Sequence, residues 1–209
     1  MKYFKKHHLF LFWFPYACIF ISISCNKDKN IFSGVSGTVL DKTTNTPVAE
    51  AEVALFEKDA EIFGGLGGVM LESKFADANG SFHFDFTERN GYNYYVQAIK
   101  SQYWNDQSSN ITFVHYGEED VIVYLQPEGY LKIYINNVNI YEPSDHISVN
   151  GTIESGFYGN EVDTSVIILT LGSLTHQLSW FIYHDGSIEN DVDYIYTPAF
   201  DTTYYSILY

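Results

Sequence analysis

Few residues in this chain are spaced to do chemistry. His83 and Asp85 stand two apart and share a face of any strand that holds them. Two such side chains can hold zinc, but a structural site needs four ligands and a catalytic one three. His115, His146, His176 and His184 show no ligand spacing. Acids gather at Glu118-Glu119-Asp120 and at Asp185, Glu189, Asp191 and Asp193. Calcium takes about six to eight oxygens from a folded loop. The second group is therefore the calcium candidate; no other metal and no cofactor is expected. The cluster Gly64-Gly65-Leu66-Gly67-Gly68 lacks the Lys-Ser/Thr and the helix that a phosphate loop needs. There is no Gly-x-Ser-x-Gly elbow and no Cys–His pair, so no catalytic residue is assigned. Carboxylate pairs for glycoside hydrolysis can be distant in sequence, which keeps a glycoside-acting enzyme as an alternative. Tyr103-Trp104, set in the polar loop 100–110, are the binding candidates. Such aromatics stack on sugars or anchor partner proteins.

The elements that carry these residues read as strands. Aromatics make up 18 % of the 209 residues and Pro numbers only 5, a composition that favours sheets. Phe82, Phe84 and Phe86 alternate with Ser81, His83 and Asp85, so three large rings share one face. Asn79-Gly80 before them supplies the positive φ of a tight hairpin turn. Further strands are expected at 32–40, 48–56, 69–75, 92–99, 111–116 and 121–126. Gln126-Pro127-Glu128-Gly129 reads as a linker. Beyond it Leu131, Ile133 and Ile135 alternate with polar residues. Val166–Leu171 is a continuous apolar run, expected to be a buried central strand. Strands at 146–153, 177–184, 192–197 and 203–209 follow. The fold class is all-β, with two tandem β-sandwich domains at 32–127 and 130–209, the second of immunoglobulin-like type. No internal repeat is visible in the residues.

The chain is acidic, with 26 Asp+Glu against 11 Lys+Arg and a formal charge of −15. Three of the lysines, Lys2, Lys5 and Lys6, lie ahead of an apolar run, Leu9–Ile23. Such a surface repels nucleic acid, which is excluded as a partner. The basic start and apolar run read as a signal peptide over 1–24. The run ends in Ser22-Ile23-Ser24-Cys25, which resembles the lipobox of bacterial lipoproteins. That resemblance implies lipid on Cys25, a tether over 25–31 and attachment to a membrane. Asn26-Lys27-Asp28-Lys29 resembles a Lys-plus-acid surface-sorting signal and implies the outer membrane, exposed at the cell surface, with its periplasmic face as the alternative.

Five short motifs occur in order: Gly37-Thr38-Val39-Leu40-Asp41, Pro47-Val48, Ala51-Glu52-Val53-Ala54-Leu55, Asp77-Ala78-Asn79-Gly80-Ser81-Phe82 and Tyr95-Val96-Gln97-Ala98. Together they resemble the carboxypeptidase regulatory-like domain over about residues 32–127. The resemblance implies a transthyretin-like, seven-stranded sandwich with a non-catalytic accessory role. The resulting expectation is a non-enzymatic lipoprotein that binds a glycan or assembles with a neighbouring outer-membrane protein. A purely structural subunit of a receptor or transporter is the nearest alternative.

Overall fold

The computed structural model describes residues 34–61, 67–105, 110–140, 142–151 and 156–209, and among these there are fourteen strands and no helix. The first seven are β1 (Gly34–Asp41), β2 (Glu52–Asp59), β3 (Val69–Phe75), β4 (Ser81–Asp85), β5 (Tyr92–Ile99), β6 (Ile111–Val114) and β7 (Glu118–Leu125). They form a three-stranded sheet, β4-β1-β7, and a four-stranded sheet, β3-β2-β5-β6. This is the seven-stranded sandwich expected. The second seven are β8 (Glu128–Asn136), β9 (His146–Val149), β10 (Phe157–Tyr158), β11 (Asp163–Leu171), β12 (Leu174–His184), β13 (Ser187–Thr197) and β14 (Thr202–Leu208). Their sheets are β11-β8-β14 and β10-β9-β12-β13.

The two bodies share one topology. Each strand of the second takes the place of the strand seven earlier, with the same neighbours. In each body the first and last strands pair in parallel, β1 with β7 and β8 with β14. The repeat lies in the strand order and not in the residues.

Alternation built each core. Val35, Val39, Val53, Leu55, Phe84, Val96 and Val123 are buried in the first body, and Leu131, Ile133, Ile135, Ile147, Trp180 and Ile207 in the second. Each such side chain contributes on the order of 1.5–3 kcal/mol by leaving water. Phe82 and Phe84 are buried as the pattern requires, while Ser81, His83 and Asp85 face solvent. Phe86 lies just past the end of β4, half-buried against the same core and against Tyr94.

Three expectations are corrected. The Asn79-Gly80 turn does not close a hairpin, because β3 and β4 lie in different sheets; it carries the chain across the sandwich. The Asp77 carboxylate accepts the N–H of Asn79 and of Ser81 there. Gly80 sits at φ 70°, and a Cβ would come 2.7 Å from the Val39 carbonyl oxygen. Strand β2 continues to Asp59, three residues beyond Phe56. Val166–Leu171 belongs to β11, an edge strand, with Ile167 and Leu169 exposed on its outer face. Only Val166 and Ile168 pack on the core.

The linker expected over 126–129 is shorter, because Glu128 and Gly129 already belong to β8, and the bodies are joined closely at Gln126-Pro127. The Gln126 side-chain amide donates to Gly172 O at 2.8 Å, and Gly172 N donates to Pro127 O at 2.7 Å. Glu128 N donates to Gln102 O, and Phe200 N to Glu128 O. A Cβ on Gly172 would meet Glu128 O at 2.6 Å, so this position admits only glycine without a shift.

Candidate functional site

Tyr103 and Trp104 lie at this junction. Tyr103 is half-buried against the first core, and its hydroxyl donates to Asp41 Oδ2 at 3.2 Å. Burial, then the charge and hydrogen bond of Asp41, push the Tyr103 phenol up to about 12. Burial also pushes the Asp41 carboxyl upward, but hydrogen bonds from Thr43 and Thr44 outweigh it and hold the group below its usual value. Trp104 is half-buried, with its backbone N–H donating to Gln126 O and its carbonyl accepting the Asn110 side-chain amide. A cleft of about 580 Å³ opens beside them, lined by Glu50, Glu52, Phe75, Lys100, Tyr103 and Glu128 among others. The Trp104 ring does not line it.

The remaining candidates separate. Cys25 lies outside the described residues. Asp185 and Gly186, both at positive φ, form the tip between β12 and β13. Glu189, Asp191 and Asp193 occupy alternate positions of β13, opposite Ile182, Trp180 and Leu178. Opposed residues share a face, so the three carboxylates stand on the side of the sheet that carries the core. Glu189 meets His184 Nε2 at 3.2 Å, and Asp193 accepts the Tyr205 hydroxyl at 2.9 Å. Burial, then the hydrogen bond and charge of Asp193, push the Tyr205 phenol up to about 12. Among the described residues no group of three or more His, Cys, Asp or Glu is placed to hold a metal. His83 and Asp85 are 3.1 Å apart on an exposed face.

Two features escaped the reading of the residues. The outer faces of the second body carry large apolar side chains: Ile188, Val192, Tyr194 and Tyr196 on β13, and Tyr204 and Leu208 on β14. A row of rings also crosses one sheet. His146 stacks on Tyr183 at 4.1 Å and on Tyr158 at 4.8 Å. These three are neighbours only through strand register, so no local spacing announces them.

No family model and no curated protein matches the chain. Among solved structures it is similar to the minor pilin of Streptococcus agalactiae, at 11 % identity over 84 % of this chain and 94 % of that one, with a TM-score of 0.40. A streptococcal ancillary pilin matches at 13 % identity over 82 % of this chain and 63 % of that one, with a TM-score of 0.38. The shaft pilin SpaA of Lactobacillus rhamnosus GG matches at 7 % identity, over 84 % and 95 %, with a TM-score of 0.34.

Proposed function

We propose that the chain is a non-enzymatic lipoprotein, anchored through Cys25 in the outer membrane and exposed at the cell surface. Its first sandwich belongs to the carboxypeptidase regulatory-like type, and the whole acts as a binding or assembly module for a glycan or a neighbouring membrane protein. The observation that carries this reading is the pair of aromatic outer faces on the second sandwich. Tyr194 is 67 % exposed and Tyr204 65 %, beside Ile188, Val192 and Leu208. Large exposed apolar side chains grouped on a strand face mark interaction sites. Trp104 serves as a lesser contact at the junction, while Tyr103 is taken up mainly by its own core. The short, hydrogen-bonded junction also favours the reading as a structural subunit that holds a partner at fixed geometry.

The full chain is tested on a glycan array and by co-isolation from outer membranes without added glycan. Retention of a glycan or a membrane protein is expected, and Tyr194→Ser with Tyr204→Ser should weaken it at unchanged melting temperature. Trp104→Ala should weaken it less. Absence of any retained glycan or protein overturns the reading.

A further inference from the structure

Strands β13 and β14 are edge strands of opposing sheets on one side of the second sandwich; their counterparts in the first are β6 and β7. In the first body that side is closed. Strand β6 has four residues, its inward Val114 is buried, and its inward Thr112 donates to Ile122 O on β7. In the second body β13 runs for eleven residues, and its outer half carries Glu189, Asp191 and Asp193 on the core-side face, where all three stay exposed. Among the described residues none of the three is in an ion pair with a lysine or arginine. Ile188, Val192 and Tyr194, which the usual burial rule would place inside, face solvent instead. Over this stretch the core-side face is acidic and the outer face apolar, and both are exposed.

A groove of about 420 Å³ lies here, with Trp180, Ile182 and Ile207 among its lining and Glu189 and Asp191 along one side. The groove shares Ile182, Glu189 and Leu208 with a cavity of about 240 Å³, lined also by Asp145, His184 and Tyr209. Tyr209 is only 7 % exposed, and among the described residues its buried hydroxyl has no hydrogen-bond partner. The ring is held in place by its own backbone: Tyr209 N donates to Asn136 O, and its carbonyl accepts the N–H of Val138 and of Asn139. A fixed, buried donor without an acceptor is costly unless something fills the site.

We propose that the groove between β13 and β14 binds an extended basic segment of a partner protein, with lysine or arginine at alternate positions meeting Glu189, Asp191 and Asp193. The chemistry favours this occupant. Carboxylates two residues apart on a strand recur every roughly 6.5–7 Å, the repeat of alternate side chains on another extended chain. Strand β13 presents a free backbone edge for pairing, the usual mode of strand addition. Ammonium and guanidinium donors make the strongest hydrogen bonds to carboxylates. At the end of the groove the Tyr209 hydroxyl donates to a backbone carbonyl of the segment. His184 and Tyr205 orient the outer two carboxylates. A second copy of this acidic chain does not fit the charge. The inference deepens the binding-module reading and rests on it.

The test uses the purified full chain in detergent and two fluorescent peptides of one composition. One alternates lysine with threonine; the other holds its lysines in one block. Anisotropy titration at physiological salt should show about tenfold tighter binding of the alternating peptide. The triple variant Glu189→Gln, Asp191→Asn, Asp193→Asn should lose that preference with its melting temperature kept, and Tyr209→Phe should weaken binding severalfold. Equal binding of the two peptides means that bulk charge alone attracts them, and overturns the proposal. So does a triple variant that self-associates but binds peptide as before, since the core-side charges then only guard the edge. Absence of the peptide preference in the unaltered chain, while that chain still retains its glycan or membrane partner, overturns the groove assignment alone. Loss of both overturns the binding-module reading as well.

Discussion

Tyr103 and Phe200 meet edge to face, their ring centroids 5.2 Å apart at 70°, although one belongs to the first sandwich and the other to the second. The contact sits beside the Gln126–Gly172 hydrogen bond and ties two separate cores together. Phe200→Ala should leave each core intact and cost about 0.5–1.5 kcal/mol of coupling. In calorimetry the two bodies should then unfold further apart in temperature. A fragment spanning 26–128 should unfold cooperatively by itself, at a lower midpoint than in the full chain. A fragment without a cooperative transition would mean that the first sandwich needs the second to fold.

The Tyr103 phenol titrates at about 12 in the folded chain, against about 10 when unfolded. Below the unfolded value both states are protonated, and the contribution is complete. Between pH 10 and 12 the unfolded state loses its proton first, so stability falls as pH rises through this window. Tyr205 and Tyr209, also held at about 12, act in the same sense. Tyr103→Phe should flatten the alkaline limb of a denaturant-midpoint profile. An unchanged limb would show that burial and Asp41 do not raise the phenol. Asp41 acts at the other end. Its folded pKa is depressed, so its contribution is present above the unfolded value near 4 and is lost as pH falls through the folded one.

Phe84 is fully buried and its neighbour His83 is exposed. Phe84→Ala should cost about 3–5 kcal/mol, and His83→Ala no more than roughly 0.5 kcal/mol. Urea melts of the two variants check the register directly. Similar midpoints would mean that β4 is displaced by one residue.

Attachment through Cys25 is tested on cells. Cys25→Ser should abolish incorporation of labelled fatty acid and either release the chain from membranes or block its processing. Equal labelling of the variant would exclude that cysteine as the anchor.

Much of the architecture is legible in the residues because one face of each strand is apolar. Leu131, Ile133 and Ile135 alternate and are buried, and β5 spans the residues its pattern gives. What a turn connects is less legible. Asn79-Gly80 specifies local φ values, but nothing in four residues says whether the next strand joins the same sheet. Val166–Leu171 is apolar on both faces, so the pattern is silent about which face is covered, and the strand lies at an edge. The topological repeat is invisible because different residues serve the same place: Thr112 and Val114 in β6, but Glu189, Asp191 and Asp193 in β13. Those acids stand out as a cluster, but their place on the core-side face is hidden because Ile188, Val192 and Tyr194 suggest the opposite face. Such conflicts between local pattern and final structure concentrate where a protein has a use for them.

The parallel pairing of first and last strands bears on how the chain carries load. The protein passes into β1 at Gly34 and out of β7 beside Asp41, at the far end of the same pair. The second body repeats this with β8 and β14, where Leu208 lies against Asn136. A pull along the chain therefore slides each pair of neighbouring strands lengthwise. Every rung between them is strained at once instead of opening one after another. Two such clasps stand in series, separated by Gln126-Pro127, and a tug from either end reaches both.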